Sequence, residues 1–415
     1  MRRTTREQLL HLLTEAAEFE HSLLCCYLYA AFSLKQPETL AGEESAAVKR
    51  WHKSIMAVAI EEMTHLALVA NLTVAVGARP HFNRPNLPVP AGYHPAGIVI
   101  ELAPFDMPTL EHFIFLERPH DAVLEDAAGF EQDEEYRRGH RPGVALMPAA
   151  TDYETIAEFY ATIRDTLTEL AETLGERTLF CGAAEMQVAE DVVKLPGLSA
   201  ITDVRSAVRA IDTIVVQGEG ASSQTPDSHF ARFESIKEEY ERLLASNPTF
   251  QPAWPVARNP VMRAPVETDR VHISNPQAAA VLDVANALYN QMLRLLSQAY
   301  GRVDSATTRK RILVESAMQV MGVLRTVCEL LVTLPANPAC PGVNAGMSFT
   351  TLRATEPWCE TPTEWATMGE RLGELEAGLT HICSGIAPLE QASRQFGGIV
   401  QRFNGVLKNS PGGGV

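Results

Sequence analysis

Residues 59–65 read AIEEMTH, two adjacent glutamates followed by a histidine, inside an apolar run of helical period that extends from about Glu44 to Val76. A histidine three residues after Glu62 and four after Glu61 lies about one helical turn from either, on the same side. The apolar stripe separates the two glutamates. Trp51, Ile55, Val58, Ala59, Leu66 and Val69 mark the inward face, with Glu62 in its middle and His65 at its edge; Glu61 shares a more polar face with Ser54, Ala57 and Thr64. A carboxylate on a core face is costly unless it is paired or bound to a cation. Glu62 and His65 are therefore candidate ligands, and Glu61 is expected to be solvated or to support them from behind.

The same logic extends to the neighbouring segments. A first helix is expected from Thr5 to Leu34, opened by a Thr4-x-x-Glu7 capping signal and closed before Gln36-Pro37. Its stripe of Leu9, Leu13, Ala16, Leu23, Leu24 and Tyr27 contains Glu20, while Glu18 faces away with His11, Thr14, Glu15 and Ser22. The helix carrying AIEEMTH stops at Gly77, with Pro80 beyond it. From 80 to 148 the prolines of RPHFNRPNLPVPAGYHPAG and the charged EQDEEYRRGHRPG imply a long crossover or lid.

A third helix is expected from Tyr153 to Leu174, with Glu158 beside its stripe and Glu154 and Glu169 as competitors. A fourth helical region runs from Val204 to Leu244, interrupted at GEGASSQTPDSH, where Glu219 follows one inward stripe and His229 leads the next. In a continuous helix these two residues would stand about 15 Å apart along the axis. If the intervening stretch loops out, they return to one level.

Composition sets the class. The chain has 415 residues, 46% hydrophobic and 21% charged, ordinary values for a globular protein, and strand-like alternation is scarce, so an all-α fold is expected. A net charge of −16 with no cluster of Lys and Arg argues against nucleic acid as a partner. The seven cysteines show no C-x-x-C pairing, which argues against a disulfide framework or structural zinc and fits a reducing cytoplasm. The N-terminus has no sustained apolar segment of the secretory kind, and no window is expected to be long and uncharged enough to span a membrane.

The expected organisation is a bundle over 1–245, a linker over 246–272 rich in proline, a C-terminal helical region over 273–405 packing on the bundle, and a disordered tail over 406–415. Three amphipathic stretches build the last region: NPQAAAVLDVANALYNQMLRLLSQAY, TTRKRILVESAMQVMGVLRTVCELLVTL and TEWATMGERLGELEAGLTHICSGI.

Glutamates and histidines aimed inward from several helices are what a dinuclear iron or manganese centre in a four-helix bundle requires. One Glu from each of two helices and a Glu-x-x-His from each of the others supply hard oxygen donors and imidazoles to one level. The candidate metal ligands are Glu20, Glu62, His65, Glu158, Glu219 and His229. Tyr27 and Tyr29 read as core packing, and His81 and His94 as loop histidines that could cover the site.

EAAEFEHSLLCCYLYAAFSLK, VAIEEMTHLALVANLTVAVGARPHFNRPNLP, IDTIVVQGEGA with SHFARFESI, and AGMSFTTL resemble the ferritin-like domain family found in iminophenyl-pyruvate dimer synthases of the violacein and indolocarbazole pathways. The resemblance implies a ferritin-like four-helix bundle holding iron, with manganese as the alternative ion, and oxidative chemistry on an amino-acid-derived substrate. The violacein-type enzymes couple two imines derived from indole-3-pyruvate and are much longer, so this chain is similar to their ferritin-like portion alone. The family pattern agrees with Glu20, Glu62, His65, Glu219 and His229, and more loosely with Glu158. The implied protein is an oxidoreductase using O2 or peroxide and a small-molecule substrate, with a homodimer left open. A ferroxidase and a metal-free helical accessory protein are the alternative readings.

Overall fold

The computed structural model describes residues 4–89, 93–94, 98–130, 148, 152–218, 220, 222–265, 270–300, 307–352, 356–358 and 364–409. The chain divides into two compact units. Met1–His81, Pro88–Glu190 and Lys194–Ala253 make the first; Phe82–Leu87, Asp191–Val193 and Trp254–Val415 make the second. Among the described residues there are eleven α-helices and one pair of two-residue parallel strands, Pro260–Val261 and Val271–His272.

Two long unbroken helices, α1 (Arg6–Ser33) and α2 (Gly42–Ala75), pack along each other in the first unit. The cap of α1 is Thr5 rather than Thr4: its side chain accepts from the Gln8 backbone N–H. Of the 28 residues of α1, 20 are buried, among them Glu15 and Ser22, which the apolar stripe assigns to an outer face. A helix enclosed on nearly every side has no polar face for a stripe to contrast with.

The end of α2 is set by Gly77, whose φ of +91° lies in the left-handed region and where a Cβ would stand 2.7 Å from Cys181 Sγ. Farther up, Trp51 stacks on Phe105, packs against Tyr240 and donates its indole N–H to Glu239 at 2.8 Å. Truncating such a side chain costs about 3–5 kcal/mol. By composition α2 is long and apolar enough to cross a membrane, which corrects the expectation from sequence, but 67% of its richest window is buried within protein.

The other two legs of the bundle are each broken. The crossover expected over 80–148 contains a helix, α3 (Met107–Leu116), started by Asp106 accepting from Thr109 N–H with Pro108 in the first turn. Proline is compatible with that position because the first N–H groups of a helix have no partner inside it. Next come α4 (Ile156–Leu174), the single turn α5 (Glu176–Leu179), α6 (Val204–Gln217) and α7 (His229–Ser246).

Helix α4 lies against α1, and the Phe113 ring of α3 meets the Tyr27 ring of α1 at 4.7 Å. Both α6 and α7 pack on α2, while α3 packs on α7 and α4 on α6. The breaks after Leu116 and after Gln217 thus open toward the middle of α1 and α2. Asn71 of α2 pins the connection ahead of α6, donating to the Val188 and Ser199 carbonyls and accepting from Val188 N–H.

The second unit contains α8 (Pro276–Tyr300), α9 (Thr307–Leu331), α10 (Glu364–Ile382) and α11 (Ala387–Asn409), with α8 on α9 and α11 on both α9 and α10. The last of these is not separated by the sequence pattern, and it continues to Asn409 where a tail is expected from 406; residues 410–415 lie outside the described residues. AGMSFTTL, residues 345–352, is extended chain bound to α8 by side-chain amides. Asn286 accepts from Thr350 N–H, and Asn290 donates to Thr350 O and accepts from Leu352 N–H.

Candidate metal centre

Five buried side chains converge in the first unit: Glu20 from α1, Glu62 and His65 from α2, Glu117 at the end of α3 and His229 at the start of α7. None is more than 2% exposed. They form two triads, Glu20–Glu62–His65 and Glu62–Glu117–His229, and within each triad one ligand atom per residue lies within 4.8 Å of the others. Glu62 belongs to both. Nδ1 of His65 stands 3.4 Å from Glu20 Oε2 and 3.4 Å from Glu62 Oε2. Nδ1 of His229 stands 2.9 Å from Glu62 Oε1 and 3.5 Å from Glu117 Oε1. The two imidazoles stack with centroids 5.5 Å apart.

Each member is held from outside. Tyr160 of α4 donates its hydroxyl to Glu20 Oε1, and Tyr27 of α1 donates to Glu117 Oε1. Behind the imidazoles, His65 Nε2 meets Gln217 Oε1 at 3.0 Å, and His229 Nε2 meets Glu61 Oε2 at 2.9 Å. Arg232 grips Glu61 with both guanidinium nitrogens, at 2.9 and 3.1 Å. At position 218 a Cβ would stand 3.2 Å from Glu117 Oε2, a tight contact that would press on that carboxylate. A small recess beside the triads is walled by Leu23, Ile156, Ala157, Ile214 and Val215.

The electrostatics of this cluster call for cations. Among the described residues no Lys or Arg pairs with Glu20, Glu62 or Glu117, so three buried carboxylates face only two imidazoles. Without metal, protons fill the deficit. Burial, then the charge of Glu62, pushes Glu20 up to about 8. Burial works against a charged His65, but the charge of Glu62 and the closeness of the Glu20 and Glu62 carboxylates raise it to about 10.

Burial likewise opposes a charged His229, which Glu117 and then Glu61 and Glu62 nevertheless raise well above the usual range. Burial would raise Glu62 too, yet the two histidines hold it far below an ordinary carboxylate. Within the cluster two buried atoms, Glu62 Oε2 and His229 Nδ1, meet no partner in hydrogen-bonding geometry among the described residues, although His65 Nδ1 and Glu62 Oε1 stand 3.4 and 2.9 Å from them. Unpaired buried polar atoms are rare and costly. Oxygen donors, two Nδ1 lone pairs and a shared carboxylate fit a pair of iron or manganese ions.

Four of the six residues singled out in the sequence meet here: Glu20, Glu62, His65 and His229. Glu158 does not. It is the third residue of the Thr155-capped α4, where its backbone N–H bonds to Thr155 and its carboxylate accepts from Glu154 N–H and pairs with His120 at 3.2 Å, with 36% of the side chain exposed. Its Thr-x-x-Glu spacing is a helix-start signature, which a metal reading of the stripe overlooks. What α4 supplies instead is Tyr160. Glu219 lies outside the described residues.

Glu117 is the residue that sequence reasoning missed. It ends the apolar run LEHFIFL immediately before Arg118-Pro119, and a carboxylate closing such a run four residues after Phe113 was the available signal. Tyr27, expected to be packing alone, is also a donor to the cluster. Glu61 stands behind His229, one of its two expected roles. Glu18, expected on an outward face, pairs with His81 and accepts from Tyr93.

A family model described as Ferritin-like matches residues 13–238, more than half of the chain. The chain belongs to the ferritin-like family. All five converging residues fall within this ferritin-like stretch. The chain is 28% identical over 386 residues to dichlorochromopyrrolate synthase of Lentzea aerocolonigenes, covering 83% of this chain and 36% of that protein. It is 26% identical over 371 residues to 2-imino-3-(indol-3-yl)propanoate dimerase of Chromobacterium violaceum, covering 81% and 34%. This ferritin-like chain thus spans about a third of the length of the curated relatives it matches. A crystal structure of a ferritin-like protein from Caulobacter vibrioides superposes with a TM-score of 0.41 at 19% identity, covering 78% of this chain and 96% of that one.

Proposed function

We propose that the chain is a non-haem iron oxidase or oxygenase that acts on an amino-acid-derived substrate, an imine or its aromatic parent, in natural-product biosynthesis. The observation that carries this reading is Glu62, a buried carboxylate shared by two triads of matched composition. The names of the two relatives, a synthase and an imine dimerase, supply the substrate class. When bound between such carboxylates and imidazoles, iron supplies oxygen activation and electron transfer.

The chain's own residues prepare the place for it. Tyr27 and Tyr160 hold the outer carboxylates by their hydroxyls, and Gln217 and Glu61 turn the imidazoles so that Nδ1 faces the cluster. Leu23, Ile156 and Ile214 keep the adjoining recess apolar, which favours a small uncharged molecule such as O2 over bulk water. Because the chain spans only about a third of the relatives' length, the joining of two substrate molecules that the name of the dimerase implies belongs to a chain that has what the remaining length provides.

The test is metal analysis of the full chain purified without oxygen, followed by oxygen uptake with imines of aromatic amino acids. About two iron ions per chain, as in a carboxylate-bridged pair, and substrate-dependent uptake are expected. A chain that is folded and equally active after complete removal of metal overturns the proposal.

A further inference from the structure

The two triads are alike in everything that faces inward: one carboxylate held by a tyrosine hydroxyl, one histidine Nδ1 and the shared Glu62. They differ behind the imidazoles. His229 Nε2 meets a carboxylate, Glu61, whereas His65 Nε2 meets an amide, Gln217. We infer that Glu61, as a positioning residue acting through His229, makes the Glu62–Glu117–His229 triad the tighter of two ion sites and the first to fill. The inference rests on the metal reading above.

A carboxylate only accepts hydrogen bonds, so Nε2 of His229 keeps its hydrogen, and the proton an ion displaces is the one on Nδ1, whose lone pair then faces Glu62 and Glu117. Arg232 fixes both oxygens of Glu61, so this partner does not rotate away. Ser228 caps α7 and places His229 at its first helical position, which holds the ring from the backbone side. An amide offers an oxygen or an NH2 group at nearly the same place. With its oxygen forward, Gln217 selects the ligating form of His65; turned over, it selects the form whose Nδ1 carries a hydrogen and cannot bind an ion. A bond to an ionised acceptor is also about twice as strong as one to a neutral acceptor, and it makes the imidazole a better donor to metal. Arg232 tempers the charge of Glu61 without removing the orientation it imposes.

The experiment is a cobalt(II) titration of the metal-free full chain, followed by visible absorption and calorimetry. Two separable steps are expected in the unaltered chain. Glu61→Gln should weaken the tighter step about 10–100-fold and leave the weaker one in place. Gln217→Glu should tighten the weaker step and narrow the gap. His65→Ala should keep the tight step, and His229→Ala should abolish it. Circular dichroism and the thermal midpoint of each metal-free variant establish that it is folded. Equal affinities in the unaltered chain, a Glu61→Gln variant that weakens only the looser step or neither, or a Gln217→Glu variant that leaves the looser step unmoved overturns the inference. Should Glu61→Gln not fold, the Gln217→Glu arm decides alone. Binding of no cobalt at all by the folded, unaltered chain refutes the metal reading itself, an outcome distinct from two ions held alike.

Discussion

Replacing Glu117 by Gln separates the site seen in the structure from the one expected in the sequence. The amide oxygen introduced by Glu117→Gln can still accept from Tyr27, and the charge it withdraws from beside His229 comes from a cluster whose carboxylates Glu20, Glu62 and Glu117 pair with no Lys or Arg among the described residues. What is lost is the anionic ligand of one triad. An ion present at 100 times its dissociation constant stabilises the folded state by about 2.7 kcal/mol. For a unit of 150–250 residues each kcal/mol shifts the melting temperature by roughly 2–4 °C, so one ion contributes roughly 5–11 °C. Two ions each at that saturation should give twice that shift, and Glu117→Gln, which removes the site inferred to be tighter, should bring the metal-induced shift down to half or less while metal content falls from two per chain to one. Glu62→Gln, which touches both triads, should abolish most of it. Glu158→Gln should change neither stoichiometry nor shift, because its carboxylate caps α4 beside His120. Differential scanning calorimetry with and without iron(II) or cobalt(II), paired with metal analysis, reads all three. A Glu158→Gln variant that loses an ion while Glu117→Gln keeps both would refute the assignment.

Metal uptake should strengthen with pH. In the metal-free chain Glu20 releases its proton at about 8 and His65 at about 10, and ligation must displace both. Affinity should therefore rise by about a factor of ten per pH unit for each proton displaced, measurable by competition with a chelator between about pH 6 and 8; a flat profile would contradict it. The same shifts fix the sign for stability. Both groups bind protons more tightly folded than at their ordinary values of 4.5 and 6.5, so the metal-free chain loses stability as pH rises, first through the window up to about 8 and then up to about 10. Thermal midpoints of metal-free protein from about pH 5 to 10 should fall accordingly. Tyr160→Phe removes the donor to Glu20 and should cost roughly 1–3 kcal/mol in urea unfolding of the metal-loaded chain. Asn71→Ala removes three bonds that hold the stretch from Val188 to Ser199, so a loss of roughly 2–4 kcal/mol and faster proteolysis there are expected.

How much of this is legible in the sequence follows from where each ligand sits. Glu20, Glu62 and His65 lie in the interiors of long helices, where a charged residue breaks an apolar stripe and periodicity reveals it. Glu117 and His229 lie at helix ends, where no stripe passes through them. His229 is found because the apolar positions of α7 begin beside it; Glu117 is hidden because α3 sits in a proline-rich stretch that reads as loop. Glu158 shows the opposite error. It does follow the pattern of a helix, but its Thr-x-x-Glu spacing serves the backbone of the first turn. Tyr27 and Tyr160 lie on apolar stripes like any core aromatic, and only the position of the carboxylates tells that their hydroxyls have partners there.

The breaks in two legs also bear on why the cluster must carry so much negative charge. Helix α3 ends at Leu116 with Glu117 as its C-terminal cap and α6 ends at Gln217, while α4 begins at Ile156 and α7 at His229, and residues from all four ends line or enter the cluster. A helix C-terminus carries about half a negative charge and an N-terminus about half a positive one. Two ends of each kind meeting at one level largely cancel, so the macrodipoles supply little net field for a cation. The attraction is left to Glu20, Glu62 and Glu117, held in an apolar setting where their charge is felt at short range. The demand thus falls on three buried carboxylates that pair with no Lys or Arg among the described residues, and neutralising Glu62, the one shared by both triads, should do more harm to ion binding than neutralising either of the others.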